Sequence, residues 1–230
     1  MKKIGLVGGT GPESTLMYYK ELNTRVGELT KGEAMPDLAI ESVNFPRTWN
    51  LVTGGQYDEL ADYLSEKVEN LKKTGSEVIS LTAGTMHIVF DEVEKKTGVE
   101  LVSIPRAVRD EIQNRGYKKV GLIGTIFTME QDYMKKDLVQ AGIDVVVPEK
   151  ADRELVAKRI YEELEQGIVK ESTLKELNEV IGRMKEMTGI ESIILGCTEL
   201  PLILNDENCI LPVLDAVEIH IKKLISLAEV

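Results

Sequence analysis

The run Leu195-Gly196-Cys197-Thr198-Glu199-Leu200-Pro201 sets one thiol between a glycine and a hydroxyl–carboxylate pair. A thiol beside an acid can carry a proton. A helix starting just beyond a strand end would lower its pKa toward the thiolate. Gly196 leaves room for a ligand beside the sulfur, and Thr198 and Glu199 supply a donor and an acid at the same turn. Buried cysteines are often inert. The glycine-flanked loop separates Cys197 from that reading, whereas Cys209, between Asn208 and Ile210, reads as core filling.

Three further groups have chemical potential. Gly8-Gly9-Thr10-Gly11-Pro12-Glu13-Ser14-Thr15 occupies a strand-to-helix turn, with Pro12 suited to a first helical position. Its glycines, with Thr10 between Gly9 and Gly11, form either a tight turn or a cradle for a small carboxylate at a helix N-terminus. A third glycine of a dinucleotide fingerprint would fall at Ser14, and no Lys-Ser/Thr pair of a phosphate-binding loop follows. Leu81-Thr82-Ala83-Gly84-Thr85-Met86-His87 is a second small, hydroxyl-bearing loop, whose His87 reads as a hydrogen-bonded residue near the core. Arg47, just after a strand, offers a planar fork suited to a carboxylate, or is an ordinary surface arginine. Thr125 and Thr128 stand after another glycine-ended strand and could donate to the same ligand.

With 230 residues, 43% hydrophobic and 29% charged, the chain can form one large domain or two small ones. A net charge of −11 disfavours nucleic acid, while local donors can still hold a small anion. No apolar run reaches the roughly 18 residues of a membrane span. The start, Met1-Lys2-Lys3-Ile4-Gly5, lacks a secretory pattern and reads as a cytoplasmic protein beginning at Met1. Two cysteines are too few for a disulfide scaffold. Two distant histidines, His87 and His220, make no metal site.

Positioning these residues requires strands that end in loops. Lys3 to Val7, Leu38 to Val43, Val78 to Leu81, Lys119 to Ile123, Ile143 to Val147 and Ile193 to Leu195 read as strands. Apolar spacings of three or four from Tyr57 to Leu71 and from Leu174 to Met187 predict helices between them. The alternation predicts an α/β fold with parallel sheets. Lys2-Lys3-Ile4-Gly5-Leu6-Val7-Gly8 is echoed by Lys118-Lys119-Val120-Gly121-Leu122-Ile123-Gly124. The stretch from Glu77 to Thr85 is echoed from Glu191 to Glu199, again about 115 residues on. The expectation is two pseudo-symmetric lobes with the active site in the cleft between them: residues 1–100 plus 208–230, and residues 101–207.

These motifs resemble those of the aspartate/glutamate racemase family. Gly8-Gly9-Thr10-Gly11-Pro12 with Ser14-Thr15 resembles its opening loop, and Gly196-Cys197-Thr198-Glu199 its second catalytic loop. Thr85-Met86-His87 resembles the tail of the first, especially in the broad-specificity branch. Gly121 to Thr125 with Thr128, and Arg159-Ile160-Tyr161 with Gly167, are similar too. The resemblance spans essentially the whole chain. It implies a homodimer and no pyridoxal phosphate, metal or nucleotide. It also implies a two-base exchange of the α-proton of a small amino acid or carboxylate substrate.

Cys197 matches the second base, and Gly9, Thr10, Arg47, Gly84, Thr85, Thr125, Thr128, Thr198 and Glu199 become expected substrate contacts. The family's first base falls at Ala83, which cannot transfer a proton, so Thr82 is the neighbouring candidate. Where some members carry a lysine after the Ile-Tyr pair, this chain has Glu162, Glu163 and Glu165. A branch resembling arylmalonate decarboxylases works with one cysteine, and a one-cysteine decarboxylase or isomerase stays open, as does a catalytically impaired homologue that binds an amino acid without turning it over.

Overall fold

The computed structural model describes residues 1–229. The chain divides into two compact units, Met1–Ser103 with His220–Val230, and Ile104–Ile219.

The first unit holds a parallel sheet of β1 (Ile4–Gly8), β2 (Leu38–Ser42) and β3 (Val78–Leu81), in the order β2-β1-β3. Its helices are α1 (Pro12–Leu29), α2 (Phe45–Thr53), α3 (Tyr57–Lys73) and α4 (Phe90–Thr97). β1 and β3 are buried along their whole length, as the continuous apolar runs require of strands covered on both faces. On α1, Tyr18, Leu22 and Val26 repeat every four residues and are fully buried. On α3 the buried set is Leu60, Ala61, Leu64, Val68 and Leu71. Each of its three leucines contributes roughly 2 kcal/mol by leaving water.

The second unit adds a fourth strand. β4 (Lys119–Ile123), β5 (Asp144–Val146), β6 (Ser192–Leu195) and β7 (Val213–Asp215) pair in parallel in the order β5-β4-β6-β7. The helices are α5 (Ile104–Arg115), α6 (Ile126–Glu130), α7 (Lys136–Gln140), α8 (Lys150–Glu162) and α9 (Glu171–Thr188), followed by α10 (Ala216–Leu227). From His220 onward α10 belongs to the first unit. The core of the second unit gathers Ile123, Ile160, Leu164, Leu177, Ile181, Leu195 and Leu200, and Cys209 packs against it as expected.

The sheets bear out the internal echo. β1 lies between β2 and β3 as β4 lies between β5 and β6. Even the extra strand has a trace in the first unit. Ser80 makes an isolated parallel bridge to Val102, on the side of β3 that corresponds to β7 beside β6. A histidine closes that short edge. His220 Nε2 lies 3.1 Å from the Val102 carbonyl and 3.0 Å from Ser80 Oγ, and its Nδ1 lies 2.6 Å from the Tyr18 hydroxyl. A carbonyl only accepts, so Nε2 carries the proton and the Tyr18 hydroxyl donates to Nδ1.

The sequence returned the chain to the first lobe at residue 208, whereas the units divide between Ile219 and His220. The physical reason is β7, whose ladder from Ile193↔Val213 to Leu195↔Asp215 keeps that stretch with the second sheet.

Candidate functional site

In the second unit the site grows from the ends of β4 and β6. Cys197 stands two residues beyond β6, half-buried, with its Sγ donating to Glu199 Oε2 at 2.8 Å. Burial and the negative charge of Glu199 push the thiol well above its ordinary pKa, with a smaller contribution from Glu165. This corrects the expectation of a thiolate-favouring helix start. The helical piece that follows the thiol in the chain is the three-residue 3-10 turn Leu200–Leu202, too short to supply a dipole, and the charges that act on the sulfur are the carboxylates of Glu199 and Glu165. Cys197 therefore rests as a protonated thiol whose hydrogen is aimed at a carboxylate.

Gly196 is required here. A Cβ on it would lie 2.9 Å from Thr128 Cγ2, 3.0 Å from Leu122 Cδ1 and 3.2 Å from the Ile123 carbonyl. Thr125 caps α6, its hydroxyl accepting from the Thr128 amide at 3.2 Å. Thr128 is buried, with its hydroxyl 3.0 Å from that of Thr125 and 2.8 Å from the Tyr133 hydroxyl. Thr198 is half-buried, and its hydroxyl has no partner among the described residues. At this end Tyr133 escaped the sequence reading, and Glu165 was named there without a role. Tyr133 lies in an irregular segment with no periodic signal. Glu165, on the 3-10 turn Leu164–Gln166, has its carboxyl pushed up by desolvation and by Glu199.

In the first unit the glycine turn after β1 is built as the spacing demands. Gly9 has φ +86°, and its amide donates to Thr15 Oγ1 at 2.9 Å. The Thr10 hydroxyl is buried without a hydrogen-bond partner among the described residues. Such an atom costs about 1–3 kcal/mol, which a bound acceptor or donor would recover.

Beyond β3, Thr82 is 1% exposed and its hydroxyl donates to the Val7 carbonyl at 3.2 Å. Its own carbonyl accepts from Ser14 Oγ at 2.9 Å. Thr82 thus ties β3 to β1 and α1, and its committed proton makes it a turn-holding residue where the sequence suggested a base. Ala83 follows in extended conformation, two residues beyond its strand as Cys197 is beyond β6. Gly84 and Thr85 open the 3-10 helix Gly84–Val89; Thr85 is half-buried and its hydroxyl has no partner among the described residues. His87 Nδ1 donates to the Ala83 and Gly84 carbonyls, at 3.2 and 3.1 Å, and the ring stacks on Phe90, in keeping with a near-core role.

Arg47 sits in the first turn of α2, exposed, with its guanidinium 4.1 Å from the centre of the Tyr63 ring and no carboxylate partner among the described residues. Among the described residues no group of three or more histidines, cysteines and carboxylates could hold a metal ion. No described helix is long and apolar enough to cross a membrane.

Two parallel α/β units with glycine- and hydroxyl-rich turns at their strand ends make an α/β fold of the kind that Asp/Glu racemases have. The chain belongs to the Asp/Glu/hydantoin racemase family, whose model matches residues 7–224. A Yersinia pestis protein named for the Asp/Glu racemases is 36% identical, with a TM-score of 0.94 over the whole of both chains. An aspartate racemase homologue from Pyrococcus horikoshii is 39% identical, with a TM-score of 0.90, again over both whole chains. The broad-specificity amino-acid racemase RacX of Bacillus subtilis is 22% identical over 216 residues, 93% of this chain and 92% of that protein. Against curated glutamate racemases the chain spans about half their length, 47% and 52% in two cases.

Proposed function

We propose that the protein is a cofactor-independent amino-acid racemase that transfers the Cα proton through Cys197. The observation that carries the reading is the Cys197–Glu199 hydrogen bond at the end of β6, in a chain of the racemase family. An α-proton beside a carboxylate is very weakly acidic, so the developing carbanion needs positioned donors. Thr10, Gly84, Thr85, Thr125 and Thr198 are proposed to supply them, with Gly9 and Thr128 shaping the turns that hold these donors and Arg47 as a carboxylate clamp.

In one direction a water on the far face takes the α-proton, the electron pair spreads from Cα into the carboxylate, Cys197 S–H delivers its proton to the other face, and the hydronium returns a proton to the thiolate. In reverse, the Cys197 thiolate forms by passing its proton to Glu199. It then takes the α-proton, and water reprotonates Cα from the opposite side. Glu199 then gives its proton to the hydroxide left by that water, which restores the resting thiol–carboxylate pair. We further propose a cytoplasmic homodimer, to be checked by light scattering.

A second reading is favoured by Ala83, which has no proton to give. In a one-cysteine decarboxylase the Cα–CO2 bond breaks, carbon dioxide leaves, and Cys197 S–H alone protonates the carbanion.

Incubating the protein with single-enantiomer amino acids in deuterium oxide tests the first reading by NMR and polarimetry. Deuterium at Cα with loss of optical rotation is the expected result. No exchange across acidic, neutral and basic amino acids would sink it. Carbon dioxide release from an α-substituted malonate would replace it with the second.

A further inference from the structure

One residue holds both glycines that flank Thr10. The Gly9 amide donates to Thr15 Oγ1 at 2.9 Å, and the Thr15 amide donates to the Gly11 carbonyl at 3.4 Å. Thr15 lies in the first turn of α1, with its side chain lodged against the end of β1. A Cβ on Gly8 would lie 2.5 Å from Thr15 Cγ2. The peptide between Gly8 and Gly9 is pinned at both ends, because its oxygen also accepts from the Val43 amide at 2.8 Å. In all three contacts the donor is a backbone amide, so their directions are fixed.

Between the two glycines stands the buried Thr10 hydroxyl, with no hydrogen-bond partner among the described residues. A hydroxyl in that state is unfavourable, and a turn free to move would swing it into water. Gly9 and Gly11, at φ +86° and +97°, are positions where such a swing is easy, since no Cβ limits them. What opposes it is the hold of Thr15 on the Gly9 amide and on the Gly11 carbonyl. The hydroxyl is thereby kept ready for a ligand, which meets a donor already in place and already stripped of water.

We propose that Thr15 is a positioning residue that clasps the glycine turn so that the Thr10 hydroxyl stays available to the substrate carboxylate. The inference rests on the racemase reading above, which uses Thr10 as a donor and gives Thr15 no part. Two consequences separate it from a purely structural role. T10V should weaken ligand binding and yet stabilise the free protein, because a buried methyl replaces an unpaired hydroxyl. Loss of the Thr15 hydroxyl should weaken binding only while Thr10 has a hydroxyl to position.

The test titrates L-serine, L-lysine and L-aspartate calorimetrically into wild type, T10V, T15V, T15A, T15S and T10V/T15V, with thermal melts and α-deuterium exchange in parallel. T10V is expected to raise Kd about tenfold, the effect of losing a donor to a carboxylate. It should also melt about 3 °C higher than wild type. T15V and T15A should raise Kd about tenfold, T15S should restore it to within about twofold, and T10V/T15V should bind no more weakly than T10V. Hydrogen exchange at the Gly9 amide of wild type, expected to be slow, decides the matter if T15V and T15A do not fold. An unchanged Kd in T15V or T15A, a loss that T15S does not restore, a further loss on T10V, a T10V protein that melts no higher, or fast Gly9 exchange overturns the proposal. Wild type that binds amino acids without exchanging deuterium refutes the racemase reading alone, and the Kd comparison still judges Thr15. Wild type that binds none of the three overturns both.

Discussion

The Sγ atom of Cys197 lies 2.8 Å from Oε2 of Glu199, two residues further along the same turn. The contact holds the thiol proton in place and opposes its loss, because a thiolate there would face a carboxylate in a poorly solvated position. Replacing Glu199 by Gln removes that charge and keeps a polar group of similar shape. E199Q is expected to lower the Cys197 pKa and so speed its alkylation by iodoacetamide, measured across pH in a C209S background. E165Q should shift the profile the same way by less, since Glu165 is the weaker of the two electrostatic causes. An alkylation profile unmoved by E199Q would mean that burial alone holds the thiol up.

Ala83 stands beyond β3 where Cys197 stands beyond β6, and its backbone is extended, with φ −121° and ψ 128°. Any residue adopts that conformation, so A83C costs about 1 kcal/mol or less. It is expected to raise α-deuterium exchange at least about tenfold if the missing group is a general base. Unchanged exchange in a folded A83C protein counts against a lost first base and strengthens the one-cysteine reading.

The strands were legible because each is a short apolar run ended by glycine or a small residue, and Val78 to Leu81 and Lys119 to Ile123 fell at the bounds of β3 and β4. β7 was not, since Val213-Leu214-Asp215 is three residues behind a proline and owes its strand state to pairing with β6. At the site, spacing identified Cys197 with Glu199 and Thr125 with Thr128, which are close in the chain. Tyr133 sits beside Thr128 through a tertiary turn with no period, and His220 meets Tyr18 and Ser80 from across the sequence. The direction of the Cys197 pKa shift was misread because it depends on burial and helix length, which residue types alone do not fix.

Fully buried His220 has its pKa pushed down to about 3 by burial and by nearby His87. Above pH 6.5 neither the folded nor the unfolded state binds a proton at this residue. As pH falls, the unfolded histidine takes one that the folded state refuses, so stability drops by about 1.4 kcal/mol per pH unit until roughly pH 3. The total approaches roughly 5 kcal/mol. Urea melts between pH 7 and 4 on wild type and H220Q are expected to differ in slope by about that amount per unit, since contributions from carboxylates cancel. Parallel stability curves would show that His220 charges freely in the folded state.

Gly9 and Gly98 both have positive φ, at +86° and +64°, but only Gly9 is crowded. A Cβ there would lie 2.7 Å from the Val43 carbonyl and 2.9 Å from its amide, backbone atoms that cannot swing away, whereas Gly98 has open space. Gly9→Ala is expected to cost about 3 kcal/mol or more, and Gly98→Ala about 1 kcal/mol. Denaturant midpoints of the two variants check the difference. Equal losses would mean that the glycine turn yields, which is incompatible with a rigid cradle.

Arg47 is anchored without being neutralised. Its amide donates to Asn44 Oδ1 at 3.1 Å, its guanidinium stacks on Tyr63, and the Tyr63 hydroxyl accepts from the Asn44 amide at 3.0 Å. A stacked guanidinium still has its fork of N–H donors along the ring edge, and among the described residues no carboxylate takes them. The cation–π contact contributes about 0.5–1 kcal/mol at such an exposed position, so R47A should cost no more than about 1 kcal/mol of stability. If Arg47 clamps the substrate carboxylate, R47A raises the Kd for amino acids by about tenfold or more, and R47K recovers only part of it because an ammonium cannot bond two oxygens from a plane. Calorimetric titration beside a thermal melt separates the two roles. A stability loss with unchanged affinity would leave Arg47 as a stacking residue, and loss of affinity at constant stability marks it as the clamp.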